Sequence, residues 1–166
     1  MRPSHRVIGN RRDRVKGAGW DYVHVAVDDA SRLAYTEVLP GERKEEATAL
    51  LTRVLTFLAA HSVIVERGMT DDGNAYRSHL FRQILAQAGC RHIRTRPYTP
   101  KTNGKAERFF QTCLREWAYA RTYPTSAERT KAMQPSINAY NHLRLHSALG
   151  GDPLITRLNN VLGFDT

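Results

Sequence analysis

Two carboxylates stand out by what surrounds them. Asp71 follows the mostly apolar run Val63 to Met69, inside Thr70-Asp71-Asp72-Gly73, and Glu107 comes just after the basic stretch Thr99-Pro100-Lys101-Thr102-Asn103-Gly104-Lys105. Functional groups gather at strand ends in open α/β sheets. Two acids held near one point suit Mg²⁺, which takes one or two carboxylates and keeps water and substrate phosphate oxygens for the rest of its shell. Taken one at a time, the same residues have plainer uses: Asp71 can cap a turn, and Glu107 favours a helix N-terminus electrostatically. Lys101, Lys105 and Arg108 surround Glu107 in the sequence. They suit phosphate contacts, or equally a solvated basic loop. His142 and His146 are four residues apart, a zinc-ligand spacing on a helix, but they lack Cys or acidic companions nearby.

The elements that must position these residues follow from periodicity. Val23, Val25 and Val27 alternate, which predicts a strand opening at Trp20, and Asp28-Asp29-Ala30-Ser31-Arg32 supplies a turn into a returning strand, Leu33 to Leu39. Ala47, Leu50, Leu51, Val54, Leu55 and Leu58 recur at three- and four-residue steps and predict a helix from Arg43 to His61. Val63 to Met69 reads as a strand. Ser78 then caps a helix carrying Leu80, Phe81, Ile84, Leu85 and Ala88, ended by Gly89. His92 to Thr95 is a brief strand, and residues 96–104 are a loop rich in Pro, Thr and Lys. A long helix is expected from Lys105 to Tyr123, with Phe109, Phe110, Cys113, Leu114 and Trp117 as its apolar stripe, and Pro124 as its stop. Two further helices are expected on either side of Pro135, from Ser126 to Met133 and from there to Leu143. A hairpin followed by alternating helices and strands makes a mixed α/β sheet covered by helices.

Composition narrows the partner. The 166 residues carry 25 Lys+Arg against 16 Asp+Glu, a net charge of +9. Residues 1–16 hold six basic and one acidic residue, 17–90 hold seven and ten, 91–108 hold six and one, and 109–166 hold six and four. Two basic blocks flank a mildly acidic centre. A polyanion is the natural partner, because neutralising phosphates releases counterions; a merely soluble basic surface is the alternative. No apolar run reaches membrane-spanning length and the basic start lacks an apolar signal core. Cys90 and Cys113 have no CxxC or framework spacing and read as reduced core thiols of a cytosolic protein.

The strings Thr70-Asp71-Asp72-Gly73-Asn74-Ala75-Tyr76 and Arg96-Pro97-Tyr98-Thr99-Pro100-Lys101-Thr102-Asn103-Gly104-Lys105-Ala106-Glu107-Arg108 together resemble the core of retroviral-type integrases and bacterial insertion-sequence transposases. Those proteins carry an Asp, Asp, Glu triad with 35 residues between its last two members, and residues 72–106 here number 35. Asp28 to Arg32 resembles the turn after that family's second strand, and Tyr140-Asn141, Arg144 and His146 resemble a downstream signature of the bacterial branch. The resemblance covers about residues 18–158. It implies a ribonuclease-H-like fold, Asp71 and Glu107 as metal ligands and catalytic acids, and two Mg²⁺ or Mn²⁺ ions. It further implies DNA as substrate and a bacterial cytoplasmic location, while the sheet edges left by a missing first strand would favour self-association.

Three departures qualify what the resemblance implies. The family's first Asp lies on a strand upstream of the hairpin. Nothing before Trp20 reads as that strand, and Asp28 and Asp29 match the hairpin turn, so the first strand and its acid are expected to be missing and this chain alone inactive. Asp72 stands where the family usually has Asn, and Leu145 where the bacterial signature usually has Pro; the latter is expected to affect packing. The expected organisation is a basic arm over 1–19, a catalytic core over 20–123 and a helical extension over 124–166. The alternatives are a nucleic-acid-binding remnant without activity and a ribonuclease-H-like nuclease.

Overall fold

The computed structural model describes residues 21–95, 104–146, 150–156 and 158. The alternating valines become β1 (Tyr22–Val27), and β2 (Ala34–Leu39) pairs with it. Six linking residues are too few for a parallel crossover, so the two strands run antiparallel. The turn is closed by Asp28, whose carboxylate accepts the Ser31 N–H and the Ser31 hydroxyl, both at 2.7 Å. Arg32 completes it at φ 68°.

The helix expected over 43–61 is α1 (Lys44–Ala60). Its end follows the pattern in which a left-handed residue turns the chain back. Ser62 N–H donates to Ala59 O at 2.9 Å and Val63 N–H to Leu58 O at 2.9 Å, with Ser62 at φ 59°. A serine pays a steric penalty there that glycine avoids. Ser62→Gly should raise stability by about 1 kcal/mol, read as a higher urea midpoint at unchanged slope.

The strand expected over 63–69 is shorter and later: β3 is Arg67–Thr70. Val63 is held by the end of α1, and Ile64 is exposed, so the apolar run is spent on leaving the helix before pairing begins. β3 pairs parallel with β4 (Arg91–Arg94), matching Gly68 with His92 and Thr70 with Arg94. Between them lies α2 (His79–Gln87), capped as expected by Ser78, whose Oγ accepts the Phe81 N–H at 3.2 Å. It ends at Gly89, φ 67°, with Cys90 N–H donating to Leu85 O at 2.8 Å. α1 packs on α2, and Ala47, Phe81, Leu85 and Cys90 form a buried cluster beneath them. Leu80, assigned to the apolar stripe, is instead 42% exposed.

The single helix expected over 105–123 is α3 (Gly104–Cys113) running into a π-helical turn, Leu114–Ala118. It stops at Tyr119, before Pro124, because Tyr123 folds back and its hydroxyl donates to Trp117 O at 2.9 Å. Conversely, the two helices expected around Pro135 are one, α4 (Ser126–His142), with Pro135 inside it. The proline removes one helical N–H, but Met133 and Ile137 on either side are buried, and that anchors the helix across the break.

Phe109, Cys113, Trp117, Ala118, Tyr123, Met133 and Ile137 form a second core with Ala34 of the hairpin. Trp117 Nε1–H donates to Arg129 O at 2.7 Å. Asn141 holds β2 from the side: its Oδ1 accepts the Ala34 N–H at 3.0 Å and its Nδ2 donates to Ala34 O at 2.8 Å. A side-chain amide thus takes the place of a neighbouring strand's peptide at that residue. Arg129 and Asp21 form an ion pair at 2.5 Å, with their side chains 6% and 19% exposed.

The packing separates into two units. One draws on Met1–Val38 and Arg108–Thr166, the other is the continuous stretch Leu39–Glu107. Among the described residues the strands make two two-stranded sheets, β1-β2 and β3-β4. Cys90 and Cys113 are free and buried, as expected of core thiols. Burial chiefly pushes the Cys113 thiol up to about 12, so it does not ionise near neutral pH. No helix among the described residues is long and apolar enough to cross a membrane.

Candidate metal centre and nucleic-acid interface

Asp71 leaves β3 at its C-terminal end and is exposed. Its Oδ1 accepts the Gly73 N–H at 2.9 Å, an Asx turn that fixes the carboxylate against its own backbone. A Cβ at position 73 would lie 2.9 Å from Asp71 Oδ1, so a larger residue there would displace that carboxylate. Tyr76 packs edge-on against Phe81 with ring centroids 5.2 Å apart. Burial first, then the charges of Asp71 and Glu42, push its phenol above the usual tyrosine range. The turn is therefore built on a hydrophobic floor.

Side chains from β4 grip the residues on both sides of Asp71. His92 Nε2 lies 2.9 Å from Thr70 Oγ1, and that hydroxyl donates to Asp71 O at 3.0 Å. Arg94 donates to Asp72 Oδ1 at 3.1 Å. Burial, then the cations Arg94 and Arg82, hold the His92 ring below its ordinary range, so it is neutral at neutral pH. Sequence reasoning missed His92 and Arg94. The signal available was their i, i+2 spacing on a strand, which places both on one face.

Glu107 is exposed in the first turn of α3, and it belongs with Asp71 to the unit Leu39–Glu107. Lys105 and Arg108 are exposed on the same helix three residues apart, while Lys101 lies outside the described residues. The chemistry of the donor set fits Mg²⁺ or Mn²⁺: two exposed carboxylates of hard oxygen, with room for water and phosphate. Among the described residues no group of three or more His, Cys, Asp or Glu is placed to hold a metal. His142 and His146 do not share a helix, since α4 ends at His142, and the spacing that suggested zinc is lost.

Residues 11–100, more than half of the 166, match the integrase core domain family, and a second integrase core domain family matches residues 88–153. The chain belongs to the integrase core domain family. Among curated relatives, it is 32% identical over 82 residues to the putative transposase InsD for insertion element IS2E of Escherichia coli K12, covering 49% of this chain and 38% of that protein. The same identity holds to transposase InsD for insertion element IS2A/D/F/H/I/K of Escherichia coli, over 27% of its length. The matched segment thus spans well under half of these relatives. The fold is similar to a chain in the simian T-cell lymphotropic virus intasome complex with the PP2A regulatory subunit B56 gamma, TM-score 0.69 at 23% identity, covering 84% of this chain and 48% of that one. It is also similar to the catalytic core domain of BIV integrase, TM-score 0.66 at 20% identity, covering 86% and 88%. The integrase core is a ribonuclease-H-like mixed α/β fold, as the sequence led us to expect.

Within this integrase core the downstream signature has structural partners. Tyr140 packs edge-on against Phe109 and His146, with centroids 4.7 and 5.1 Å away. Arg144 pairs with Glu116 in the π-helical turn and lies over the Tyr140 ring. Asn141 holds the hairpin, as described. Leu145 is 68% exposed, so its expected effect on packing is not found. Asp28 spends its carboxylate closing the hairpin turn, and it sits in the other unit from Asp71.

Proposed function

We propose that this integrase core takes part in DNA transposition, with Asp71 and Glu107 as metal-holding acids for cleavage and joining of phosphodiester bonds. The observation that carries the reading is the pinned, exposed Asp71 carboxylate at a strand end, followed at the family spacing by an exposed Glu107 in the first turn of a helix. When bound, Mg²⁺ or Mn²⁺ would supply Lewis-acid stabilisation of the attacking and leaving oxygens in an in-line displacement. Asp71 and Glu107 would hold the ions as hard anionic donors. The Asx turn would spare Asp71 reorganisation, because its carboxylate is already oriented. Lys101, Lys105 and Arg108 would bind backbone phosphates beside the acids, independently of base sequence. The protein would work in the bacterial cytoplasm and self-associate, consistent with exposed Leu143 and Leu145 near the end of α4.

A second reading, a DNA-binding domain that does not itself cut, is favoured by one observation: among the described residues no group of three or more His, Cys, Asp or Glu is placed to hold a metal.

DNA binding separates the interface from a merely basic surface. Affinity for random-sequence duplex should fall steeply with salt, and replacing Lys101, Lys105 and Arg108 together by Ala should flatten the log–log slope by about 2–3. Fluorescence anisotropy over a salt series measures it. An unchanged slope would move the footprint elsewhere, first to the basic residues within 2–16.

A further inference from the structure

Asp71 and Asp72 are adjacent acids, yet the two carboxylates are used differently. Asp72 is engaged by Arg94 at 3.1 Å, with side chains 35% and 49% exposed, while Asp71 bonds only within its own turn among the contacts described. The residue before Asp71 is also held from β4, through His92 on the Thr70 hydroxyl at 2.9 Å, and Thr95 N–H extends the strand pairing to Thr70 O at 2.9 Å. Residues 70 and 72 of the catalytic turn are thus both tied to the neighbouring strand, and 71 is the one presented to solvent.

We propose that Arg94 is a positioning residue that holds the Asp72 carboxylate away from the metal, so that Asp71 alone of the adjacent acids acts as ligand. This rests on the reading of Asp71 as a metal ligand. An exposed pair such as Arg94–Asp72 adds little to stability, so its consequence lies in where it puts charge. Without Arg94, a second anionic oxygen donor would stand next to Asp71. Mg²⁺ demands near-octahedral geometry and keeps most of its waters, whereas Ca²⁺ accepts six to eight oxygens in irregular arrangement. A freed Asp72 would therefore help Ca²⁺ more than Mg²⁺. Arg94 keeps the site selective for the smaller ion.

The test is calorimetric titration of the 166-residue chain with MgCl₂, MnCl₂ and CaCl₂, beside thermal melts, for Arg94→Gln, Asp72→Asn, the double variant and Asp71→Asn. Arg94→Gln should shift the Ca²⁺ to Mg²⁺ affinity ratio toward Ca²⁺ by about tenfold, the scale on which outer partners tune metal sites. Asp72→Asn in the same chain should restore the original ratio. A merely structural pair would shift the melt and leave the ratio alone. An unchanged ratio in Arg94→Gln, with binding lost in Asp71→Asn, would overturn the role of Arg94 only. Binding unaltered by Asp71→Asn, or absent in the unsubstituted chain, would overturn the assignment of Asp71 and this inference with it.

Discussion

If Asp71 holds the metal as proposed, replacing it with Asn should reduce metal-dependent joining of DNA ends by about 10³-fold or more, in whichever length of the protein carries that activity. Charge stabilisation through a bound ion contributes several kcal/mol to such a transition state, and each 1.4 kcal/mol is a factor of ten. The amide keeps an oxygen able to accept the Gly73 N–H, so the turn that closes at 2.9 Å survives the change. The melting temperature should stay within about 2 °C, as for other exposed substitutions that leave a hydrogen bond intact. DNA affinity should also hold. Joining within tenfold of the unsubstituted protein would remove Asp71 from the chemistry, whereas lost activity with a collapsed melt would assign it to folding instead.

The second large effect concerns the other unit. Arg129→Met should destabilise the fold by about 3–5 kcal/mol. Met fills the volume of the arginine stem but removes the guanidinium that Asp21, 19% exposed, meets at 2.5 Å. Removing one partner of a mostly buried ion pair costs more than the pair itself contributes. Asp21→Asn in the same chain should therefore recover much of the loss, because a neutral amide tolerates the site. Urea denaturation of the two single variants and the double variant gives the coupling directly. A loss below about 1 kcal/mol for Arg129→Met would mean that water reaches the pair and screens it.

The strands and helices were largely legible because their periodicities are strong. The valine alternation of β1, the Ser78 cap and the Gly89 stop all depend on local chemistry, and all appear where expected. The misreadings share one cause: tertiary contacts overrode local signals. Pro135 reads as a break, but buried neighbours carry α4 through it. The helix stripe of Phe109 to Trp117 gave no warning that Tyr123 would fold back and end the helix early. The position of Asp71 at a strand end was legible from its sequence context. Its braces, His92 and Arg94, were not, since 22 residues separate each from the partner it holds. Asn141 was noticed only as part of a resembling string, and nothing local to it points to Ala34.

That last pairing bears on how the chain is made. Ala34 and its amide partner are 107 residues apart, and Asp21 and Arg129 are 108 apart. A ribosome adding about 5–20 residues per second needs roughly 5–20 s to synthesise the intervening chain. During that interval the emerged hairpin lacks its helical cover, while the stretch Leu39–Glu107 holds its contacts within itself and can complete them first. The discontinuous unit is therefore the first to begin emerging and the last able to complete its packing. The hairpin thus waits on α4, while the stretch between them can fold without either.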